Sequence, residues 1–319
     1  MHSEFRLTTA FRHGRTKIDD IYFSAPFKLM HPFVNGRHAE YMISFVGPGF
    51  LAGDTARMNI TFAPGTDSTI STQSYEKVLD TKDGSASRTI DLTVQGDAKA
   101  VFLPFPVIPF RNSAFSTATT AHISPESTFV YADVVTNGRA GMGEQWLMRR
   151  FESSLRVYVD EQADETDHHR RGRPRKHPEE PISHLAFADH TLLDPSRYDY
   201  THMAMWRGYT HCGLMYIHLP EHPADHTGGN DDGISNGTSS EHSASAASAR
   251  TVGGNTNARR SAEEAIIARI RQFAEESNFP GEFGATRAMN GIVVRILTKR
   301  GDDAYDFITK LTALLTNHD

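Results

Sequence analysis

Between Phe5 and about Val159 the chain is a succession of short extended runs, each closed by Gly, Pro, Asn or Asp. No segment of this half carries a long 3.6-residue apolar period with caps. Thr55–Phe62 (TARMNITF) shows the pattern: Ala56, Met58, Ile60 and Phe62 recur at the period of two that a half-buried strand needs, and Pro64-Gly65 ends the run with a turn. Residues 40–46 (EYMISFV) form a second such run, stopped by Gly47, Pro48 and Gly49. The same reading predicts strands over 68–73, 89–94, 98–103, 116–123, 128–135 and 145–159. The cadence also repeats. APGTDSTIST, VQGDAKAVFLP and ISPESTFVYAD each set a Gly, Pro or acidic turn before a strand that opens on small or polar residues. Such a cadence fits a loose hairpin repeat or a solenoid coil, and strands at this spacing build a sandwich, a barrel or stacked sheets equally well.

Two interruptions follow. Residues 160–181 (DEQADETDHHRRGRPRKHPEEP) set acidic and basic blocks side by side without apolar anchors, so a charged, flexible insertion is expected there. Order resumes with a predicted return strand over 184–193 and another over 209–219 (YTHCGLMYIHL). Residues 220–257, rich in Gly, Ser, Ala and Asn, then read as a disordered insertion. The last quarter differs. Ser261 with Glu264 is a capping box, and Ala265, Ile266, Ile267, Ile270 and Phe273 form an apolar stripe that ends before Asn278 and Pro280. A strand over 289–297, stopped by Gly301, and a helix over 303–315 with Phe307, Ile308, Leu311, Leu314 and Leu315 on one face complete the reading. The expectation is one domain over 1–319, mainly β, with stacked sheets in a helical, solenoid-like or sandwich-like scaffold and two C-terminal helices.

Charge and cysteine content exclude several classes. The 33 Lys and Arg stand against 39 Asp and Glu, and the only dense basic run is the one from His168 to His177, so a nucleic-acid surface is not expected. The single cysteine, Cys212, rules out an internal disulfide framework. No stretch approaches the roughly 20 apolar residues of a membrane span, and the N-terminal segment lacks the apolar run of a signal peptide, so a cytoplasmic location is the expectation.

Residues that could carry chemistry are sparse. There is no GxxxxGK[ST] loop, HExxH or CxxC; Gly47, Gly49 and Gly53 precede a strand rather than a helix, so no helix N-terminus awaits a phosphate. Seventeen histidines include His168, His169 and His177 in the first insertion and His218, His222 and His226 at steps of four, where Pro220 and Pro223 disfavour a helix. His211 and Cys212 suit nickel or zinc by chemistry, but neighbours on a strand point to opposite faces, so they are weak ligand candidates and no permanent metal or cofactor is expected. Asp54, after Gly53 at a strand start, is either a turn cap or an acidic residue lining an interface or passage. Asp133, Arg139 and Glu144 pose the same alternative around the Asn137-Gly138 turn, and a carboxylate buried there needs a partner such as Arg139. Residues 102–110 (FLPFPVIPF) are either a rigid connection packed under the sheet or an apolar ridge for another protein.

The ordered motifs GFLAGDTARMNITFAPGT (49–66), STISTQSYEKV (68–78), LPFPVIPFRNSAF (103–115), ISPESTFVYADVVTNGRAGMGEQW (123–146) and RFESSLRVY (150–158), with GIVVRIL (291–297), resemble the UreD (UreH) urease accessory protein family. The resemblance implies a non-enzymatic scaffold of stacked β-sheets with two helices. It further implies binding to UreF, to the UreG GTPase and to apo-urease, and nickel in transit to the urease active site, with room for a homodimer within that complex. By the same resemblance Gly49, Gly53, Gly138 and Gly143 mark turns of family motifs. Lys77, Arg139, Asp54, Asp133 and Glu144 become candidates for the interface or for an internal polar nickel passage. Phe105 departs from the polar residue usual in the proline segment, and both insertions exceed the family norm. The alternative from another class is a small-molecule hydrolase on a β scaffold, which would need a concave pocket with perturbed titrating groups.

Overall fold

A computed structural model of the chain describes residues 1–161, 182–220 and 244–316. Most of both insertions, with His168, His169, His177, His222 and His226, lies outside the described residues. Among the described residues the chain is mainly β, in two stacked sheets and a small hairpin. The first sheet runs, in spatial order, Ile182–Leu193, Arg150–Glu161, Ala114–Ile123, Ala86–Val94, Thr55–Phe62, His2–Arg12, Arg15–Phe23. The main path of the second runs Glu282–Ala288, Gly291–Thr298, His211–His218, Thr128–Thr136, Lys99–Leu103, Asp67–Thr72, His38–Phe45, Phe27–Leu29.

The centre of each sheet is parallel, because the chain alternates between them. Thr55–Phe62, Ala86–Val94 and Ala114–Ile123 each lead through a four-residue turn into Asp67–Thr72, Lys99–Leu103 and Thr128–Thr136 of the other sheet. The turns are equivalent: the N–H of Thr66, Ala98 and Ser127 donates to the carbonyl of Ala63, Gln95 and Ser124, at 3.2, 3.2 and 3.1 Å. Successive turns are laced together as well, Lys99 N to Thr66 O at 2.8 Å and Thr128 N to Ala98 O at 3.0 Å. These are the three segments whose cadence repeats in the sequence, so the repeat is a solenoid coil. Antiparallel strands close the edges of both sheets.

The second sheet is buried on both faces. One face meets the first sheet through Phe102, Phe129, Tyr131 and Tyr216, which share one buried cluster with Phe5, Ile60, Phe115 and Phe151. The other face, with Val130, Ala132, Val134, Met215, Ile292 and Val294, is covered by two helices, α1 (Ala244–Glu276) and α2 (Gly301–Thr316). Ile267, Ile270 and Ala274 of α1 and Ala304, Phe307, Ile308 and Leu311 of α2 form the contact, while Leu314 and Leu315 are half-buried. Both stripes follow the 3.6-residue period read from the sequence.

Three local expectations are corrected. The segment 145–159 is not one strand: Trp146 takes a left-handed φ of 57°, so the chain breaks between Glu144–Gln145 and Arg150–Glu161. Asn137-Gly138 is not the tip of a turn, since Asn137 is buried and donates its N–H to Thr210 O; the reversal falls at residues 140–143, where Gly143 has φ 72°. Gly301 opens α2 instead of ending a strand, with Asp302 and Asp303 placed favourably in the first turn. Helix α1 begins ahead of the Ser261 capping box.

Candidate functional site

Period-two alternation aims every second side chain of a strand into the space between the sheets, and two inward positions hold arginine where apolar residues would be expected. In Ala86–Val94 the inward set is Ala86, Arg88, Ile90, Leu92 and Val94, and Arg88 is only 6% exposed. Its guanidinium pairs with Glu76, and its Nε donates to Thr117 Oγ1 on the adjacent strand at 3.2 Å. In Gly291–Thr298 the inward arginine is Arg295, which pairs with Asp189 of the opposite sheet. Between these pairs stands Asp133, on the inward face of Thr128–Thr136, accepting the Ser153 hydroxyl across the sheets at 2.8 Å.

Register sets these groups in two facing rows that form a belt. Arg88, Thr117, Ser153 and Thr191 are cross-strand neighbours in one row of the first sheet, and Asp133, Leu214 and Arg295 in one row of the second. Read across the strands, the charges alternate: Glu76, Arg88, Asp133, Arg295, Asp189. The groups feel one another. Burial pushes the Glu76 carboxyl up, Arg88 pulls against it and Asp133 pushes with it, leaving the pKa above the ordinary value. Burial likewise pushes the Cys212 thiol up to about 11, with Arg295 opposing and Asp189 and Asp133 reinforcing the rise.

The belt reaches a surface at both ends. Glu76 and Arg88 line a small cavity of about 60 Å³ beside the loop of Gly47, Pro48 and Gly49. Asp189 and Arg295 line an open groove of about 490 Å³ between the two edge strands Ile182–Leu193 and Glu282–Ala288, with Leu185, Phe187, Thr286 and Met289. The first mouth is shaped by Gly49. Its φ of 131° and the closeness of the Lys77 carbonyl leave no room for a Cβ, and the Lys77 carbonyl in turn accepts Phe50 N–H at 2.8 Å. Lys77 itself is exposed at this mouth.

Of the residues singled out from sequence, Asp133 lies on the belt, Cys212 in the neighbouring row within reach of its charges, and Lys77 and Gly49 at its mouth. Asp54 lies at a strand start, where its carboxylate accepts Leu51 N–H at 2.8 Å and pairs with the Met1 ammonium at 2.7 Å, the turn following Gly53 at φ 80°. Burial raises its carboxyl, but these two partners outweigh burial and hold it below the usual range. Arg139 and Glu144 clasp each other through two hydrogen bonds of 2.7 and 2.8 Å across the hairpin of Gly138–Arg139 and Glu144–Gln145, with Arg139 stacked over Phe110. Gly138, at φ 123°, has no space for a Cβ beside the Glu144 carbonyl. His211 points away from Cys212, towards Tyr75 and the start of α2, so the two cannot share a metal ion. Among the described residues no three His, Cys, Asp or Glu side chains converge on a point fit for a metal. Phe105, in the proline segment, stacks on Tyr305 of α2 at 4.1 Å and meets Tyr75 edge-on, so the segment is tied down against the helix.

Sequence reasoning missed Glu76, Arg88, Ser153, Asp189 and Arg295. The available signal was register: an arginine among the inward residues of a strand, as in ASRTIDLTV and GIVVRIL, is expensive to bury and needs a partner.

The family model of the UreD urease accessory proteins matches residues 1–319 of this chain. The chain belongs to the UreD family of urease accessory proteins. Over 221 residues, 68% of this chain, it is 33% identical to urease accessory protein UreH of Helicobacter pylori (strain G27), covering 75% of that protein. It is equally similar, at 33% over 221 residues, to UreH of Helicobacter acinonychis (68% of this chain and 76% of that one). The urease accessory protein UreD of Lachnoclostridium phytofermentans is 26% identical over 214 residues, 66% of this chain and 70% of its own. Membership in the UreD family assigns the chain to urease maturation as an accessory protein. No helix among the described residues is long and apolar enough to cross a membrane.

Proposed function

We propose that the chain is a non-catalytic scaffold of urease maturation that binds UreF, UreG and apo-urease in the cytoplasm, and that the belt between its sheets carries nickel in transit to the urease active site. The observation behind the second half is the belt itself, a row of carboxylates, hydroxyls and two arginines between the sheets, with a concavity of the surface beside each end. Carboxylate oxygens hold a hydrated divalent cation loosely, whereas clustered imidazole and thiolate would retain it. Asp133, midway along, is the carboxylate assigned to meet the passing ion. Asp54 and the Arg139–Glu144 clasp are assigned to shaping loops at the partner-facing surface.

The test is co-expression with the urease subunits and accessory proteins, capture on a tag carried by this chain, and assay of nickel-dependent urease activity. Wild type should recover UreF, UreG and apo-urease. Asp133→Asn should recover the same partners and lose activation at least tenfold. Empty capture by wild type would overturn the scaffold, and full activation by Asp133→Asn would overturn the belt as the nickel route.

A further inference from the structure

Two fixed cations stand inside a belt assigned to a moving cation. On elementary electrostatics, Arg88 and Arg295 repel nickel wherever it stands in the belt. They are not placed there for stability alone: the buried Arg88–Glu76 pair is commonly no better than well-packed apolar side chains of the same volume, and the half-exposed Arg295–Asp189 pair is worth little. Their neighbours on the same inward register, Ile90 and Val293, show that apolar residues fit the space.

The geometry points to a gating role: we propose that Arg88 and Arg295 are exchangeable counter-ions, one at each mouth, and that a divalent cation advances along the belt only by displacing an arginine from its carboxylate. The proposal rests on the belt being the nickel route. A guanidinium and a metal ion compete for the same carboxylate oxygens, those of Glu76 at one mouth and Asp189 at the other. The displaced arginine stays tethered nearby and recaptures its carboxylate when the ion moves on, which keeps the ion from settling. Charge also sets selectivity. A monovalent ion offers the carboxylate no more charge than the guanidinium it displaces and forfeits the arginine's hydrogen bonds, so Na⁺ and K⁺ gain nothing by entering. A divalent ion offers that same carboxylate twice the charge of the guanidinium. Arg88 also has a hydroxyl to lean on, Thr117 Oγ1 at 3.2 Å, which holds the side chain beside the mouth.

The experiment is equilibrium dialysis of the full-length apo-protein against nickel chloride alone, for wild type, Arg88→Met, Arg295→Met and Arg88→Lys, with folding checked by circular dichroism. Either methionine variant should bind Ni²⁺ at least about tenfold more tightly than wild type, because one repelling charge and one competitor are gone. Arg88→Lys, which restores the charge, should return to the wild-type value. Arg295→Met carries the test by itself if Arg88→Met does not fold, since its side chain is 42% exposed and its site more forgiving. Unchanged nickel affinity in a folded methionine variant overturns the gating role. Tighter binding together with slowed urease activation supports both the gate and the route. Tighter binding with activation at the wild-type rate upholds the arginines as competitors for the carboxylates and overturns the belt as the nickel route.

Discussion

The two faces of the second sheet are built from the same strands and do opposite things. In Thr128–Thr136 the residues Val130, Ala132 and Val134 point outward under α1 and α2, into a layer of aliphatic and aromatic side chains. Phe129, Tyr131, Asp133 and Val135 point inward, and one of these four is a carboxylate. The next strand but one repeats the contrast, with Ile292, Val294 and Ile296 outward and Val293, Arg295 and Leu297 inward. The outer face therefore draws its stability mainly from apolar burial, with one ion pair at its edge, Arg287 to the buried Glu263 of α1 at 2.7 Å. The inner face gives part of its burial to a charged belt whose members need partners to be tolerated.

The comparison can be broken first on the outer face. Phe307 of α2 is 4% exposed and packs on Phe273, Phe279 and Phe283. Phe307→Ala should cost about 3–5 kcal/mol in chemical denaturation, as large-to-small changes of buried aromatics do. On the inner face, Glu76→Ala leaves the Arg88 guanidinium buried without its carboxylate, and a loss of about 3 kcal/mol is expected. The double variant Glu76→Ala/Arg88→Met should recover most of that loss; if it is as unstable as the sum of its parts, the two side chains are not coupled.

His211 sharpens the contrast by pH. Burial lowers its pKa to about 4, with Asp302 and Asp303 opposing, while the unfolded imidazole titrates near 6.5. The unfolded chain thus takes up a proton first, so stability is unaffected above pH 6.5 and falls as pH drops towards 4, by up to about 3 kcal/mol. His211→Gln should remove this component and flatten the stability profile in that window. The smallest effect belongs to the half-buried clasp of Arg139 and Glu144. Arg139→Ala should change stability by less than about 1 kcal/mol, because the pair is partly in water, and guanidine denaturation against wild type checks it.

The repeat of turn and strand could be read in the chain because its cause is local, whereas the choice of a solenoid over a sandwich or a barrel could not. Three turns of similar composition recur at similar spacing, and the strands between them alternate; the structure stacks those turns hydrogen bond upon hydrogen bond. The helical stripes of α1 and α2 were legible for the same reason. The breaks that went unread, at Trp146 and at Asn137, depend on partners far along the chain, Tyr200 and Trp206 for the one and Thr210 for the other. In the candidate site, Asp133 is among the residues that the sequence singles out, whereas Glu76, Arg88, Asp189 and Arg295 are not.

What the sequence determined by itself is the alternation of buried and exposed positions, the repeat of turn and strand, the two amphipathic helices and the motifs of the UreD family, all of which depend on residues close together in the chain. What only the tertiary structure decided is which inward charges meet. Arg88 and Glu76 are 12 residues apart, but Arg295 and Asp189 are separated by 106, and Asp133 meets Ser153 from the opposite sheet. An inward charge announces only that it must find a partner, since an unpaired charge between two sheets is too costly to keep. The stacking of the sheets decides which partner it finds, and so joins five separate charges into one belt.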